Sequence, residues 1–164
     1  MALNDFAADI ATADGAHEAF LFEEAARLLL PDAEREHIFR LRQWIDERAF
    51  AQAAICLHHH ALPAYGFQIG EMPPGAAQKR GVASTWRRGE HRALPFTAAT
   101  PGLALLRAAA SAAARAAEAS MQADCAFCRG VGWISGVGGS KAICRHGRQS
   151  DENSADRFPD PRGL

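Results

Sequence analysis

No stretch of this sequence stays apolar for the roughly 20 residues that a membrane-spanning helix needs. Its start, Met1-Ala-Leu-Asn-Asp-Phe6, has no basic stretch ahead of an apolar one. Membrane and secreted classes are thereby disfavoured, and a cytoplasmic, reducing compartment is expected. Cysteines in such a compartment are free, catalytic or metal-bound rather than disulfide-bonded. Net charge is nearly absent too, at −1. No carboxylate pair arranged for acid–base work, no nucleophile elbow and no phosphate-binding loop occurs, so the chain reads as a protein that is not an enzyme.

What is there begins with alanine. The 164 residues suffice for one domain, or one domain and a small appendage, and 48% of them are apolar. Many of those are alanine, which forms helix readily but buries little surface, so the core is expected to be thin. A metal or a second subunit would compensate. A homodimer is expected, with Phe96, Leu103 and Leu106 near its seam.

The charge is unevenly spread. Residues 1–49 carry 11 acidic and 5 basic side chains, a balance of −6, and residues 50–150 carry 4 acidic and 11 basic, a balance of +7. An anionic partner for the second half would explain this, and so would the two halves neutralising one another within one fold or across a dimer.

Helical signals dominate the first third. Asp14 is placed to cap a helix with Glu18 in its first turn, and Phe20, Ala25, Leu28 and Leu29 form its apolar face up to Pro31. Asp32 is read as the cap of a second helix carrying Ile38, Leu41 and Ile45. Two readings are open for the next stretch: Asp46 opens a third helix through Phe50, Ala53, Ala54 and Leu57 to Pro63, or the stretch continues the second as one bent helix. The pattern then alternates: Tyr65-Gly-Phe-Gln-Ile69 and Gly81-Val-Ala-Ser-Thr-Trp86 read as strands, with Arg87 to Arg92 as a charged turn. Thr100-Pro101 is a strong helix start, with the threonine as cap and the proline at the first helical position, and an alanine-rich helix follows to about Ser120. The polar stretch 149–164 is expected to be disordered.

Within residues 46–119, the helix to Leu62-Pro63, the strand with Tyr65-Gly66-Phe67, the strand ending at Trp86, and the run Ala98-Ala-Thr-Pro-Gly-Leu-Ala-Leu-Leu-Arg-Ala-Ala109 resemble the phage alpha-beta-beta-alpha sandwich family. The resemblance implies a phage or prophage origin. It carries over no catalytic residues.

Cys125-Ala-Phe-Cys128-Arg-Gly-Val-Gly132 is the most informative stretch. Two thiolates at this spacing reach one metal from a tight knuckle, and the glycines allow amides to approach the sulfurs. Trp133-Ile-Ser135 and Lys141-Ala-Ile143 read as the strands of a hairpin that returns Cys144-Arg-His146 beside the knuckle, across a 15-residue loop. One structural zinc is expected on Cys125, Cys128 and Cys144, with His146 or another group as the fourth ligand. A redox-active cysteine pair would need a thioredoxin-like setting that the sequence does not supply. Four protein ligands leave no open position for catalysis, and without a His-x-Glu the chain is not a zinc deaminase. Cys125 to Gly132 resembles one Cys-x-x-Cys-x-Gly-x-Gly repeat of the DnaJ cysteine-rich domain, which implies a zinc hairpin of similar shape. With no His-Pro-Asp tripeptide, the resemblance does not extend to a co-chaperone.

Three further groups stand out. His58-His59-His60 point in different directions on a helix and suit a helix C-terminus in partly charged form better than one metal ion. Lys79, Arg80, Arg87, Arg88 and Arg92 surround Trp86 and His91; they are either a solvated face or a site for phosphates and a stacked base. Arg129, Lys141, Arg145 and Arg148 surround Trp133 and are the candidate nucleic-acid contacts of the hairpin.

The expected architecture is α+β: a helical segment at 1–45, an alpha-beta-beta-alpha domain at 46–119 with a small two-stranded antiparallel sheet flanked by helices, a zinc hairpin at 121–148 and the tail at 149–164. The expected function is that of a small zinc-binding accessory or regulatory protein that binds nucleic acid. The alternative is a protein-binding module that modulates a host or phage enzyme through the acidic helices. In either case no membrane is involved.

Overall fold

The helical first half is divided by residues that helix does not easily run through. A computed structural model describes residues 2–73, 80–89, 94–123, 133–135 and 141–143. In it α1 spans Leu3–Thr12, α2 Glu18–Leu29, α3 Arg35–Asp46 and α4 Phe50–Ala61. Asp14 does act as a cap: its carboxylate accepts the Ala16 N–H at 3.0 Å and starts a 3-10 turn, Gly15–His17, that leads into α2. The helix before it, α1, is absent from the sequence reading: Leu3, Phe6, Ala7 and Ile10 recur at helical spacing, but its cap residue is Ala2, whose side chain has nothing to offer the free amides. The second helix starts at Glu34 rather than Asp32, again with no side-chain cap. Asp46 ends α3 instead of opening α4. The two are separate helices, and Arg48 sits between them at φ 55°, a left-handed conformation that continuous helix cannot contain.

The fold is α+β, with a sheet of three strands where two were expected. Strands β1 (Tyr65–Glu71), β2 (Gly81–Arg87) and β3 (Leu94–Ala98) run antiparallel in the order β1-β2-β3. Pro95 hides β3 in the sequence. Proline has no N–H for a ladder, and it is tolerated here because β3 is an edge strand. The register sets Phe67 opposite Thr85 and Ile69 opposite Ala83, and then Ala83 opposite Phe96 and Gly81 opposite Ala98. These residues face inward.

Helix α5 (Pro101–Ala123) follows β3 directly. Its start is the one the sequence announces: the Thr100 hydroxyl accepts the Leu103 N–H at 3.1 Å, and Pro101 occupies the first helical position. Phe6 and Ile10 of α1, Phe22 of α2, Leu41 of α3, Leu57 of α4 and Leu103, Leu105 and Leu106 of α5 form one buried cluster with Ala83 and Ala98 of the sheet. The helices therefore gather on one face of the sheet. Leu103 and Leu106 are fully buried within a single chain, and Phe96 on β3 is half-buried.

The chain divides into two compact units, residues 1–116 and 117–164. In the second, β4 (Trp133–Ser135) and β5 (Lys141–Ile143) pair antiparallel, with Trp133 opposite Ile143 and Ser135 opposite Lys141. These are the two strands read from the sequence. The tail at 149–164 lies outside the described residues. No helix among the described residues is long and apolar enough to cross a membrane.

Candidate nucleic-acid interface

Side chains alternate across a strand, so β2 presents two different rows. Its odd positions, Gly81, Ala83 and Thr85, are buried against the helices. Its even positions, Val82, Ser84 and Trp86, are half-buried and face away from them. The row continues past both strand ends, because Met72 donates its N–H to the Arg80 carbonyl at 2.7 Å and Arg88 donates its N–H to the Ala64 carbonyl at 2.9 Å. The outer row of the central strand thus reads Arg80, Val82, Ser84, Trp86, Arg88, with an exposed guanidinium at each end. Gly66 lies beside Trp86, and Gln68 and Pro95 lie beside Ser84. Gly70 and Thr97 lie beside Val82. No carboxylate occurs on this face among the described residues. Glu71 is opposite Gly81 and belongs to the inner row. Arg87, also of the inner parity, is exposed at the strand end. Lys79, His91 and Arg92 of the same basic stretch lie outside the described residues.

The second basic group is only partly described. Trp133 and Lys141 are in β4 and β5. Arg129, Arg145 and Arg148, and the expected zinc ligands Cys125, Cys128, Cys144 and His146, lie outside the described residues. Among the described residues no three His, Cys, Asp or Glu side chains are grouped to hold a metal.

The histidine run is divided as its helical geometry requires, but its chemistry differs from the expectation. His58 is fully buried and packs on Phe67, with ring centroids 4.7 Å apart. Its Nε2 is 2.9 Å from the Thr85 hydroxyl, which donates its only proton to the Gly66 carbonyl at 3.0 Å. The hydroxyl must therefore accept, so His58 carries its proton on Nε2 and leaves Nδ1 buried with no hydrogen-bond partner. Burial, reinforced by His59, lowers its pKa from 6.5 to about 4. His58 is thus a neutral core residue and not a partly charged helix end. His59 and His60 are exposed, and His60 lies against His37 of α3, with ring centroids 4.0 Å apart.

Two other titratable groups are withdrawn from water without forming a site. Burial pushes the Cys56 thiol up, against a weaker pull from Arg40, so it is not an activated nucleophile. Glu18 is buried at the start of α2, where it accepts a 2.5 Å hydrogen bond from the Thr100 hydroxyl, and burial raises its pKa. It ties α2 to the first turn of α5. No protein-family model matches this chain, nor does any curated protein or solved structure.

Sequence reasoning had Arg80, Arg87, Arg88 and Trp86 as one cluster. It missed that Gly66, Gln68 and Thr97 complete the face, because the pairing of β1, β2 and β3 cannot be read from spacing alone.

Proposed function

We propose that this chain is a small accessory or regulatory protein, without catalytic activity, that binds nucleic acid through its basic second half. The observation that carries the reading is the outer sheet face: two exposed arginines in one row, Val82, Ser84 and Trp86 between them, and no carboxylate among the described residues. Such a surface attracts phosphates without opposing charge. The phage origin and the single structural zinc on Cys125, Cys128, Cys144 and His146 belong to the same reading, and the antiparallel register of β4 and β5 supports its hairpin. If the zinc is present it contributes folding energy to that segment, so chelation melts it. Elemental analysis of freshly purified, reduced protein is expected to return about one zinc per chain, and a metal-free protein would remove this part of the proposal.

Binding to mixed DNA and RNA, followed as a function of salt, tests the main reading. Affinity is expected to fall steeply with salt, and the slope to become shallower when Arg80 and Arg88 are both replaced by alanine. Undetectable binding at low salt favours the protein-binding alternative. That alternative has its own support in a groove of about 530 Å³ between α2 and α3. Ala26, Leu30, Ile38 and Leu41 line it. Phe20 and Phe39 on the same two helices are 64% and 70% exposed.

A further inference from the structure

Gly66 and Trp86 face each other on the outer side of the sheet. A methyl group built on Gly66 would come within 2.8 Å of Trp86 Cε2 and 2.9 Å of both Cζ2 and Nε1. Three indole atoms nearly equidistant from one point mean that the ring lies broadside over the glycine. Any side chain at position 66 would push it off. One face of the indole is therefore taken up by the sheet, and the opposite face is turned away from it. Trp86 is outside the apolar cluster that holds the core together, so its contact with Gly66 is a local cross-strand one.

We infer that Trp86, held flat on Gly66, is a base-stacking platform for single-stranded nucleic acid, with Arg80 and Arg88 contacting the backbone on either side. The inference rests on the nucleic-acid reading above and names the kind of nucleic acid. A ring that gives one face to a glycine has its other face, and not only an edge, to offer a partner. In a duplex each base has both faces covered by its neighbours, so only an unstacked base can accept such a partner. A duplex read through its grooves needs an element that projects into them, whereas this face is a sheet surface with Ser84, Thr97 and the glycines among its residues. The polar groups beside the ring, Gln68 and Ser84, are uncharged. Stacking uses the π-face that every base has, so the platform is tolerant of sequence.

The test uses the full-length protein and a mixed-sequence oligonucleotide labelled with a fluorophore, presented as a single strand and as its duplex at low salt. The single strand is expected to bind more tightly than the duplex. Trp86→Ala is expected to weaken single-strand binding on the order of tenfold and to leave duplex binding unchanged, whereas Trp86→Phe restores most of the loss. Gly66→Ala, which keeps the indole, Arg80 and Arg88 but displaces the ring from its seat, is expected to fall between the two Trp86 variants. Thermal melts of each variant separate lost binding from lost folding. If Trp86→Phe and Trp86→Ala both bind the single strand as the unaltered protein does, or if the duplex is preferred, the platform is wrong while the nucleic-acid reading stands. If the unaltered protein binds neither form, the nucleic-acid reading fails and takes the platform with it.

Discussion

The two faces of the sheet are built from alternate residues of the same strands, yet they are occupied in opposite ways. Inward, Ala83 and Thr85 are almost without exposure, and Thr85 is the middle link of a hydrogen-bond chain from His58 to the Gly66 carbonyl. Outward, Val82, Ser84 and Trp86 stay half-exposed and take no part in the buried cluster. Period-two alternation thus lets seven residues of β2 serve stability on one side and leave the other side free for a partner. Substitutions on the two rows should separate cleanly: inner ones change folding and outer ones change binding.

The largest contrast is between two glycines. A methyl group on Gly81, in the inner row, would fall on the Thr100 carbonyl and the Pro101 nitrogen. Both are backbone atoms at the start of α5, so no rotamer change relieves the clash. Gly81→Ala is expected to cost at least about 3 kcal/mol or to prevent folding. Gly70→Ala, in the outer row, meets only Val82 Cγ1 at 3.7 Å, an ordinary contact. Its stability should change by less than about 0.5 kcal/mol. Denaturant melts of the two variants measure the difference directly, and equal losses would mean that the outer face is packed after all.

This contrast also marks the limit of what the sequence discloses. Thr100-Pro101, Pro31 and the alternating runs at Tyr65 and Gly81 carry their own local chemistry, and the elements they announce are where they were expected. Helix α1 has no capping side chain, the break at Arg48 depends on one left-handed residue, and β3 contains the proline that usually argues against a strand. The site is legible to the same degree. Arg80, Trp86 and Arg88 are recognisable as a group from composition, but that Gly66 lies under the indole depends on a register between residues 20 apart. His58 and Thr85 are 27 apart, and nothing local in either predicts a buried pair.

That pair supplies the second test. His58 has a pKa near 4 when folded and 6.5 as its reference. Its depressed value means that the unfolded chain takes up the proton first as pH falls. Stability is therefore intact above about pH 6.5 and declines down to about pH 4, at close to 1.4 kcal/mol per unit, or up to about 3 kcal/mol in all. His58→Gln keeps an N–H donor for Thr85 but cannot titrate, so its stability should be flat across that window. A variant that loses stability as steeply as the parent would show that another group controls acid unfolding. Because the pair faces inward, single-strand binding by the folded protein at pH 7 should not differ between the two.

The smallest effect belongs to Glu18, the other buried titratable group, and it has the opposite sign. Its folded pKa is raised from 4.5 by burial, so the unfolded chain gives up its proton first as pH rises. The cost is absent below about pH 4.5, grows as pH climbs towards the raised value, and is complete above it. Two features work against it: the Thr100 hydroxyl donates to the carboxylate, and the start of α2 carries a partial positive charge that favours an anion. Because the pKa is raised in spite of the hydrogen bond, burial is the stronger influence. Glu18→Gln retains an oxygen for Thr100 and has no charge to bury, so it should be slightly more stable than the parent at pH 7, by no more than about 1 kcal/mol. The advantage should vanish below pH 4.5, where the parent carboxyl is neutral in both states. A loss of stability at pH 7 would mean that the helix start outweighs burial, and that Glu18 holds α2 to α5 as an anion. The pH dependence then distinguishes the two cases, since only an anionic tie weakens as the acid range is entered.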